Sequence, residues 1–314
     1  MMSVVLTFMV WNFSPDLNNI DSTDSKNSNT KTIGKPMSAN IENVISPYQI
    51  VEVKGDKVKG LAPSRAQLSQ ITGTLKNHEV SKVEHIHRDY NLNIPMLNDH
   101  FTVLDFTYDM PLTTYLGQVL NSSAKVPKNF KFNRIIVSQN PKENLELYAI
   151  SEDRHEVMKV TLTTKANHFI KVMDHLNKEM QKYSEVITNK DTIDKSTHIF
   201  APNRPKDMRS YRMVYDTIPV ETMNAILFDD SVIIRSGKSG STTYNNNTGV
   251  ANYNDESKKY HYKNLSENES SSSDMDSTIP STFEYINGHG GFFNDDFRLF
   301  NTDNSCLLYT SDAA

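Results

Sequence analysis

The sequence predicts an α+β fold with largely antiparallel sheets, arranged as two mixed domains behind a membrane-helix remnant and a flexible linker. Segments with the alternating apolar pattern of strands and segments with the apolar spacing of helices follow one another in no regular order. Turn signals, such as the segment Asn140–Asn144, connect neighbouring strand-like segments. This combination is typical of antiparallel sheets with helices packed on them, and no repeat of about 20–50 residues is present.

The composition excludes several classes of protein. Hydrophobic residues make up 37% of the 314 residues and charged residues 23%, as in soluble domains and unlike proteins with several membrane spans. The net charge is −5 and the basic residues are scattered singly, so the sequence lacks the clustered basic segments of nucleic-acid-binding proteins. The single cysteine, Cys306, excludes a disulfide framework and a cysteine-based metal site.

Residues 1–13 are predicted to belong to a transmembrane helix. The run from Val4 to Phe13 is mostly apolar, and Pro15 ends it. A helix over residues 1–13 reaches about 20 Å, whereas the hydrocarbon layer is ~30 Å thick, and the segment lacks the basic head and cleavage site of a signal peptide. We therefore expect the outer half of a membrane helix whose beginning is missing. A buried N-terminal strand is the alternative.

The segment after this helix indicates on which side of the membrane the body lies. Asp16, Asp21 and Asp24 precede the first positive charge, Lys26, whereas cytoplasmic flanks are usually rich in lysine and arginine. This flank predicts an extracytoplasmic body. Residues 14–47 are predicted to form a flexible linker, because their serine, threonine and asparagine content cannot bury enough apolar surface to offset the entropy of ordering.

Residues 48–200 are predicted to form a first extracytoplasmic α+β domain. Segments 63–75 and 111–120 each open with proline and are predicted helices. The strongest helical pattern covers His168–Ser184, with one apolar face containing Phe169, Met173, Leu176, Met180 and Tyr183. The predicted strands are 49–53, 101–108, 132–138, 145–150 and 156–163.

Residues 201–305 are predicted to form a second, incomplete α+β domain, because Pro202 and Pro205 interrupt regular structure at the boundary. A hairpin is predicted around Asn246–Gly249, where Asn and Gly tolerate positive φ. The other predicted elements are helices at 219–228 and 279–287 and strands at 211–215, 231–236, 259–265 and 297–300. The last residues, 306–314, resemble translated sequencing-adapter sequence and are excluded from fold reasoning.

The residues alone predict no catalytic or cofactor-binding site. The segment His289–Gly291 resembles the oxyanion donors of some hydrolases, but the sequence contains no Gly-x-Ser-x-Gly elbow, and a glycine cluster ending a helix is the simpler interpretation. His87–Asp89 matches three letters of a kinase catalytic loop without the other kinase motifs. No Walker loop and no dinucleotide-binding fingerprint is present.

No metal site is predicted either. His85 and His87 lie two residues apart on a predicted strand, but no third zinc ligand follows at a suitable spacing. The acidic segment 266–278 lacks the alternating ligand spacing and central glycine of a calcium loop, so an exposed loop is favoured. The pair Asp229–Asp230 is compatible both with acid–base chemistry and with a polar turn.

Several long segments then carry a specific resemblance, spread over residues 2 to about 304. They are MSVVLTFMVWNFSPD at 2–16, DFTYDMPLTTYLGQVLN at 105–121, ITNKDTID at 187–194, MNAILFDDS at 223–231, TTYNNNTGVANYN at 242–254, YHYKNLSE at 260–267 and INGHGGF at 286–292. On these segments the chain closely resembles the YycH family. Its members are accessory regulators of an essential cell-wall sensor histidine kinase, the WalK (or YycG) kinase, in Gram-positive bacteria with low genomic GC.

The resemblance implies a single N-terminal membrane helix with a short cytoplasmic head, and an extracytoplasmic body of three domains. Set against this resemblance, the sequence is expected to lack the head, part of the helix and the third domain. The resemblance also implies no catalytic residues and no cofactor, and association in the cell membrane with the kinase and with a sister protein, YycI.

The resemblance further implies that the membrane helix makes much of the contact with the kinase. Carried over to this chain, the surviving part of that surface is Val4, Val5, Leu6, Phe8, Met9, Val10 and Trp11. The alternative that the residues leave open is a secreted hydrolase or solute-binding protein tethered to the membrane.

Overall fold

The structure is a computed structural model, and it describes residues 40–87, 100–127, 129–151, 156–186, 199–204, 218–228, 233–238, 240–265, 275–288 and 298–300. Within these residues the fold is α+β and the sheets are antiparallel, which confirms the predicted fold class. No helix among them is both long enough and apolar enough to cross a bilayer. The predicted membrane helix at 1–13 lies outside the described residues and stays a prediction.

The larger sheet contains nine of the described strands, in the spatial order β3-β7-β6-β5-β4-β1-β2-β8-β9. Every neighbouring pair is antiparallel. The strands are β1 (Gln49–Lys54), β2 (Lys57–Leu61), β3 (Val80–His87), β4 (His100–Pro111), β5 (Lys131–Ser138), β6 (Asn144–Ser151), β7 (Glu156–Lys165), β8 (Gln181–Val186) and β9 (Ile199–Pro202).

Four short helical elements pack on one face of this sheet. They are α1 (Ile41–Val44), α2 (Arg65–Leu75), α3 (Leu112–Thr114), which continues into a π-helical turn at Tyr115–Val119, and α4 (Asn167–Leu176). The predicted helix 63–75 begins at Arg65, because the Ser64 hydroxyl accepts a hydrogen bond from the Gln67 amide, and the Gln67 side chain accepts one from the Ser64 amide. The apolar residues of α2 and α4 join strand residues in the main core.

The sheet is buried on both faces. Along β1, Ile50 belongs to the core under the helices and Val51 to a separate cluster on the second face. The same alternation places Ile135 under the helices and Ile136 on the second face. Tyr183 of β8 belongs to the second-face cluster, and Phe200 of β9 packs against it. The β8–β9 hairpin therefore supplies part of the cover of the second face.

The predicted helix 168–184 is wrong after Leu176. Helix α4 ends there, and from Gln181 the chain forms β8, which pairs with β2 at Lys59 and Gly60. Met180 is buried under the helices, whereas Tyr183 is buried on the second face, so the two residues do not share one helical stripe. Their spacing fits a helix by coincidence, and the pairing with β2 decides the structure.

The second part of the chain forms a four-stranded meander with one helix packed on it. The strands, β10 (Ile234–Lys238), β11 (Ser241–Asn245), β12 (Gly249–Asn254) and β13 (Lys259–Asn264), lie side by side in chain order. Helix α5 (Val220–Leu227) packs on Tyr244, Ala251 and Tyr262. The predicted hairpin is confirmed, because Asn246 Oδ1 accepts hydrogen bonds from the Thr248 and Gly249 amides, at 2.9 and 2.8 Å.

Helix α6 (Met275–Gly288) joins the two cores. Ile279, near its start, is buried in the main core under the larger sheet, and Tyr285, near its end, packs against the cluster between α5 and the meander. Residues 298–300 then lie against the first part of the chain and form no strand, contrary to the strand predicted at 297–300. The predicted strand at 211–215 lies outside the described residues.

The predicted domains at 48–200 and 201–305 stay a prediction. Two features bear on where such units would be divided. Strand β9 extends to Pro202 and pairs with β8, and the amide of Asn203 donates to the Lys182 carbonyl at 3.0 Å. Helix α6 and residues 298–300 contact the residues of the first unit.

Candidate functional site

The most connected buried polar network lies between the β1–β2 hairpin and the end of α4. The Glu52 side chain is 3% exposed. Its Oε1 lies 2.9 Å from His100 Nε2, and its Oε2 accepts a hydrogen bond from the side-chain Nδ2 of Asn177. Asn177 Oδ1 in turn accepts from Lys59 Nζ at 2.6 Å. All four side chains therefore have partners, as a buried charged group requires.

A small open cleft of about 310 Å³ adjoins this network, and its lining residues are Glu52, Lys54, Lys57, Lys59, Asp174 and Asn177. Lys54 and Lys57 face each other directly across the hairpin. Neither is within ion-pair distance of a carboxylate among the described residues. Like charges in this position repel each other, and a small anion would relieve that repulsion. The lining side chains include no hydroxyl or thiol that could act as a nucleophile.

A second buried network lies on the opposite face of the sheet. Arg134 Nε donates to Asp105 Oδ1 at 2.5 Å, with side-chain exposures of 11% and 4%. Asp105 Oδ2 accepts from the Gln49 side chain at 2.7 Å. The same Gln49 amide donates to the Phe200 carbonyl oxygen at 3.4 Å. The network thus connects β1, β4 and β5 to the hairpin that covers them.

Tyr48 is the exposed residue at the border of this second network. Tyr48 is 43% exposed, and its backbone amide donates to the Asp105 carbonyl oxygen at 2.8 Å. Partial burial raises the pKa of the Tyr48 phenol, and the Asp105 carboxylate raises it further. The phenol therefore stays neutral at physiological pH and can act as a hydrogen-bond donor to a partner.

The structure does not bring the sequence-derived candidates together. His85 Nε2 lies 3.7 Å from Glu156 Oε1, in a half-exposed contact on the edge of the sheet. No group of three potential metal-ligating side chains occurs within the described ranges. The side chains of Asp229, Asp230, His289 and residues 266–277 lie outside the described residues. So do Val4, Val5, Leu6, Phe8, Met9, Val10 and Trp11. The backbone of residues 275–278 forms the first turn of α6, so the loop predicted at 266–278 is wrong for these four residues.

Sequence reasoning missed both buried networks. A signal existed for the first, because Glu52 has the same strand parity as Ile50 and therefore points into the core. A charged residue at an inward position needs a partner. The identity of that partner, at the end of a helix 125 residues away, was not readable from local pattern.

Two family models and one solved structure are similar to this chain. A family model described as the YycH protein, N-terminal domain, matches residues 1–181, and one described as the YycH protein, C-terminal domain, matches residues 196–310. The crystal structure of YycH from Bacillus subtilis is similar, with a TM-score of 0.67 and 14% identity over 86% of this chain and 71% of that chain. At this identity the structural likeness shows the fold alone. No curated protein matches.

Proposed function

This chain belongs to the YycH family, and from that premise we propose that it is a membrane-anchored, extracytoplasmic regulator of a two-component sensor histidine kinase that controls cell-wall metabolism. Family membership is the observation that supports a regulator of the WalK/YycG kinase, and a regulatory rather than catalytic protein. The finer part of the proposal is association with both the kinase and a YycI-like sister regulator, through residues 1–13 and the body of the chain.

The proposed mechanism is a shift between two kinase states. Helices in lipid associate by close packing of their side chains. A regulator that binds one kinase state more tightly than the other shifts their populations by that difference in affinity. A tenfold shift requires a difference of about 1.4 kcal/mol. A few well-packed side chains among Val4, Val5, Leu6, Phe8, Met9, Val10 and Trp11 can supply a difference of this size.

The experiment that tests this proposal is an anchor exchange in the full-length protein. One variant replaces residues 1–13 with an unrelated membrane helix, and a matched control keeps the same residue types in a shuffled order. Both variants are expected to stay in the membrane fraction. Both are expected to lose co-purification with the kinase and to stop regulating it. Unchanged regulation in both variants would reduce the segment to a tether. A full-length protein that neither co-purifies with the kinase nor alters its output would overturn the proposal.

A second candidate function, binding of a small anionic solute, is favoured by the cleft beside Lys54 and Lys57. Titration calorimetry with inorganic phosphate and with acetate would test it on the full chain. We expect the double variant Lys54→Gln/Lys57→Gln to lose the binding heat, and Lys178→Gln, an exposed lysine outside the cleft, to keep it. Absence of any binding heat in the unaltered protein would remove this candidate.

A further inference from the structure

Residues 298–300, which we call the docked segment, lie against the first part of the chain. The Arg298 guanidinium donates to two backbone carbonyl oxygens, that of Pro63 at 2.6 Å and that of Pro47 at 3.2 Å. Pro47 lies between α1 and β1, and Pro63 between β2 and α2. The planar fork of an arginine can hold two carbonyls at once, whereas the single ammonium of a lysine is a poorer fit.

The next residue of the docked segment is bound through its backbone. The Leu299 amide donates to the Val44 carbonyl oxygen at 2.9 Å, and the Leu299 carbonyl oxygen accepts from Thr107 Oγ1 at 3.2 Å. The Leu299 side chain packs against the main core, whereas Phe300 is 75% exposed. Two consecutive residues, Arg298 and Leu299, therefore contact the end of α1, the loops that precede β1 and α2, and the middle of β4.

These contacts lie at α1, the element that follows the predicted anchor in the chain. Helix α1 is the first described element, and it lies inside the segment 14–47 that was predicted to be a flexible linker behind the anchor at 1–13. Val44 and Ile45 are buried there, so this end of the predicted linker is ordered. The docked segment binds Val44, the last residue of α1, and Pro47, three residues further on. It comes from the same part of the chain as α6, whose Ile279 and Tyr285 contact the two cores.

We infer that the docked segment couples the second part of the chain to the point where the linker enters the body. This inference rests on the proposed function and specifies how it is regulated. While the segment is bound, the meander, α6 and α1 move as one body, so that binding of a partner to the meander changes the orientation of the linker and anchor. When the segment is released, the same binding event no longer reaches the anchor.

The test compares the full-length protein with three variants. Arg298→Ala removes both hydrogen bonds to the carbonyls, and Arg298→Lys keeps the charge but not the fork. Arg204→Ala is the matched control, because Arg204 is an exposed arginine that has no hydrogen bond or ion pair with another described residue. Amide hydrogen exchange is measured at Leu299 and at Ile45, whose amide donates to the Ile41 carbonyl within α1. The Leu265 amide, which donates to Thr248 in the meander, is the internal reference.

We expect Arg298→Ala to raise exchange at Leu299 and Ile45 by about tenfold or more while leaving Leu265 unchanged, because local opening is governed by the contacts of that segment alone. The exchange rates of Arg298→Lys are expected to lie between those of Arg298→Ala and those of the unaltered protein. Arg204→Ala is expected to match the unaltered protein. Unchanged exchange at Ile45 in Arg298→Ala would overturn the inference, since α1 would then not depend on the docked segment.

Kinase output is the second readout, and it separates this inference from the proposed function. If Arg298→Ala raises exchange and also changes kinase regulation while still co-purifying with the kinase, the inference is supported. If exchange rises but regulation equals that of the unaltered protein, coupling through the docked segment is refuted and the proposed function stands. If the unaltered protein has no effect on the kinase, the proposed function fails and coupling to the anchor fails with it.

Discussion

The Arg134 guanidinium lies 5.8 Å from the centre of the Phe200 ring. Arg134 belongs to β5 inside the nine-stranded sheet, whereas Phe200 belongs to β9 at its edge, so this contact requires the β8–β9 hairpin to fold back over the second face. Beneath it, Arg134 is bound to Asp105. A buried ion pair therefore lies between the sheet and the hairpin.

Removing one partner of this pair is expected to be costly. Arg134→Met or Asp105→Asn leaves a buried group without its counter-charge, which typically costs about 3–5 kcal/mol of the free energy of unfolding. The double variant is expected to lose less than the sum of the two single losses, because the two residues interact directly. Urea unfolding measures these values.

The control for this prediction is an ion pair at the surface. Lys82 Nζ lies 2.7 Å from Glu84 Oε1, but the lysine side chain is 63% exposed. Because water screens such pairs, Lys82→Met is expected to leave the urea midpoint unchanged. A fully additive double variant at Arg134 and Asp105 would show that the buried pair is not a coupled unit.

The aromatic centre of the main core is expected to be sensitive to truncation. Phe132 is fully buried, and its ring centre lies 5.4 Å from those of Phe106 and Tyr115 in edge-to-face geometry. Phe132→Ala should cost about 3–5 kcal/mol, because it removes buried surface and leaves a cavity. Phe300→Ala, at a ring that is 75% exposed, should change the stability by less than about 0.5 kcal/mol. Equal losses would contradict the assignment of the core.

Gly60 is expected to tolerate no side chain. A Cβ atom at this position would lie 2.9 Å from three atoms of the Tyr183 ring, which is itself buried. Gly60→Ala should therefore push β8 away from β2, at a cost of about 1–3 kcal/mol. Gly237→Ala is the control, since a Cβ there meets no atom within 4 Å. Thermal unfolding of both variants, side by side, is the measurement, and a neutral Gly60→Ala would exclude the close approach of Tyr183.

Stability is expected to fall in alkaline solution. Burial raises the pKa of the Tyr115 and Tyr108 phenols well above their ordinary value. Above about pH 10 the unfolded chain releases these protons and the native protein retains them, so the free energy of unfolding falls by about 1.4 kcal/mol per pH unit for each phenol. This stability is fully present below about pH 10.

The measurement is urea unfolding at several values between about pH 9 and pH 11. Tyr115→Phe removes one of the titrating groups and is expected to reduce the slope of stability against pH by the share of one phenol. A variant with the same slope as the unaltered protein would show that Tyr115 does not titrate differently in the folded and unfolded states.

Local pattern was sufficient to predict the elements whose partners are close in sequence. The helix at 63–75 was readable because it opens with proline and its apolar residues recur at helical spacing, and the hairpin at Asn246–Gly249 because both residues suit a tight turn. Strand β8 was not readable, since Met180 and Tyr183 satisfy a helical spacing. Only the pairing with β2, more than a hundred residues earlier, reveals its conformation.

The polar sites were still less predictable. Each depends on residues that the fold brings together from distant positions, as when Arg298 reaches Pro47 and Pro63. Nothing in the composition of 298–300 distinguishes that arginine from the exposed Arg204. Glu52 could have been singled out by strand parity, but His100 as its partner could not.

The cover that β8 and β9 provide has a practical consequence for anyone who expresses part of this protein. A recombinant fragment that stops before Gln181 would lack the Tyr183 and Phe200 rings. Their absence would expose a hydrophobic patch that contains Val51, Val103 and Ile136. Such a fragment should self-associate and be cleaved quickly by proteases. Extending it through Asn203 keeps the whole hairpin and should restore the cover of this face.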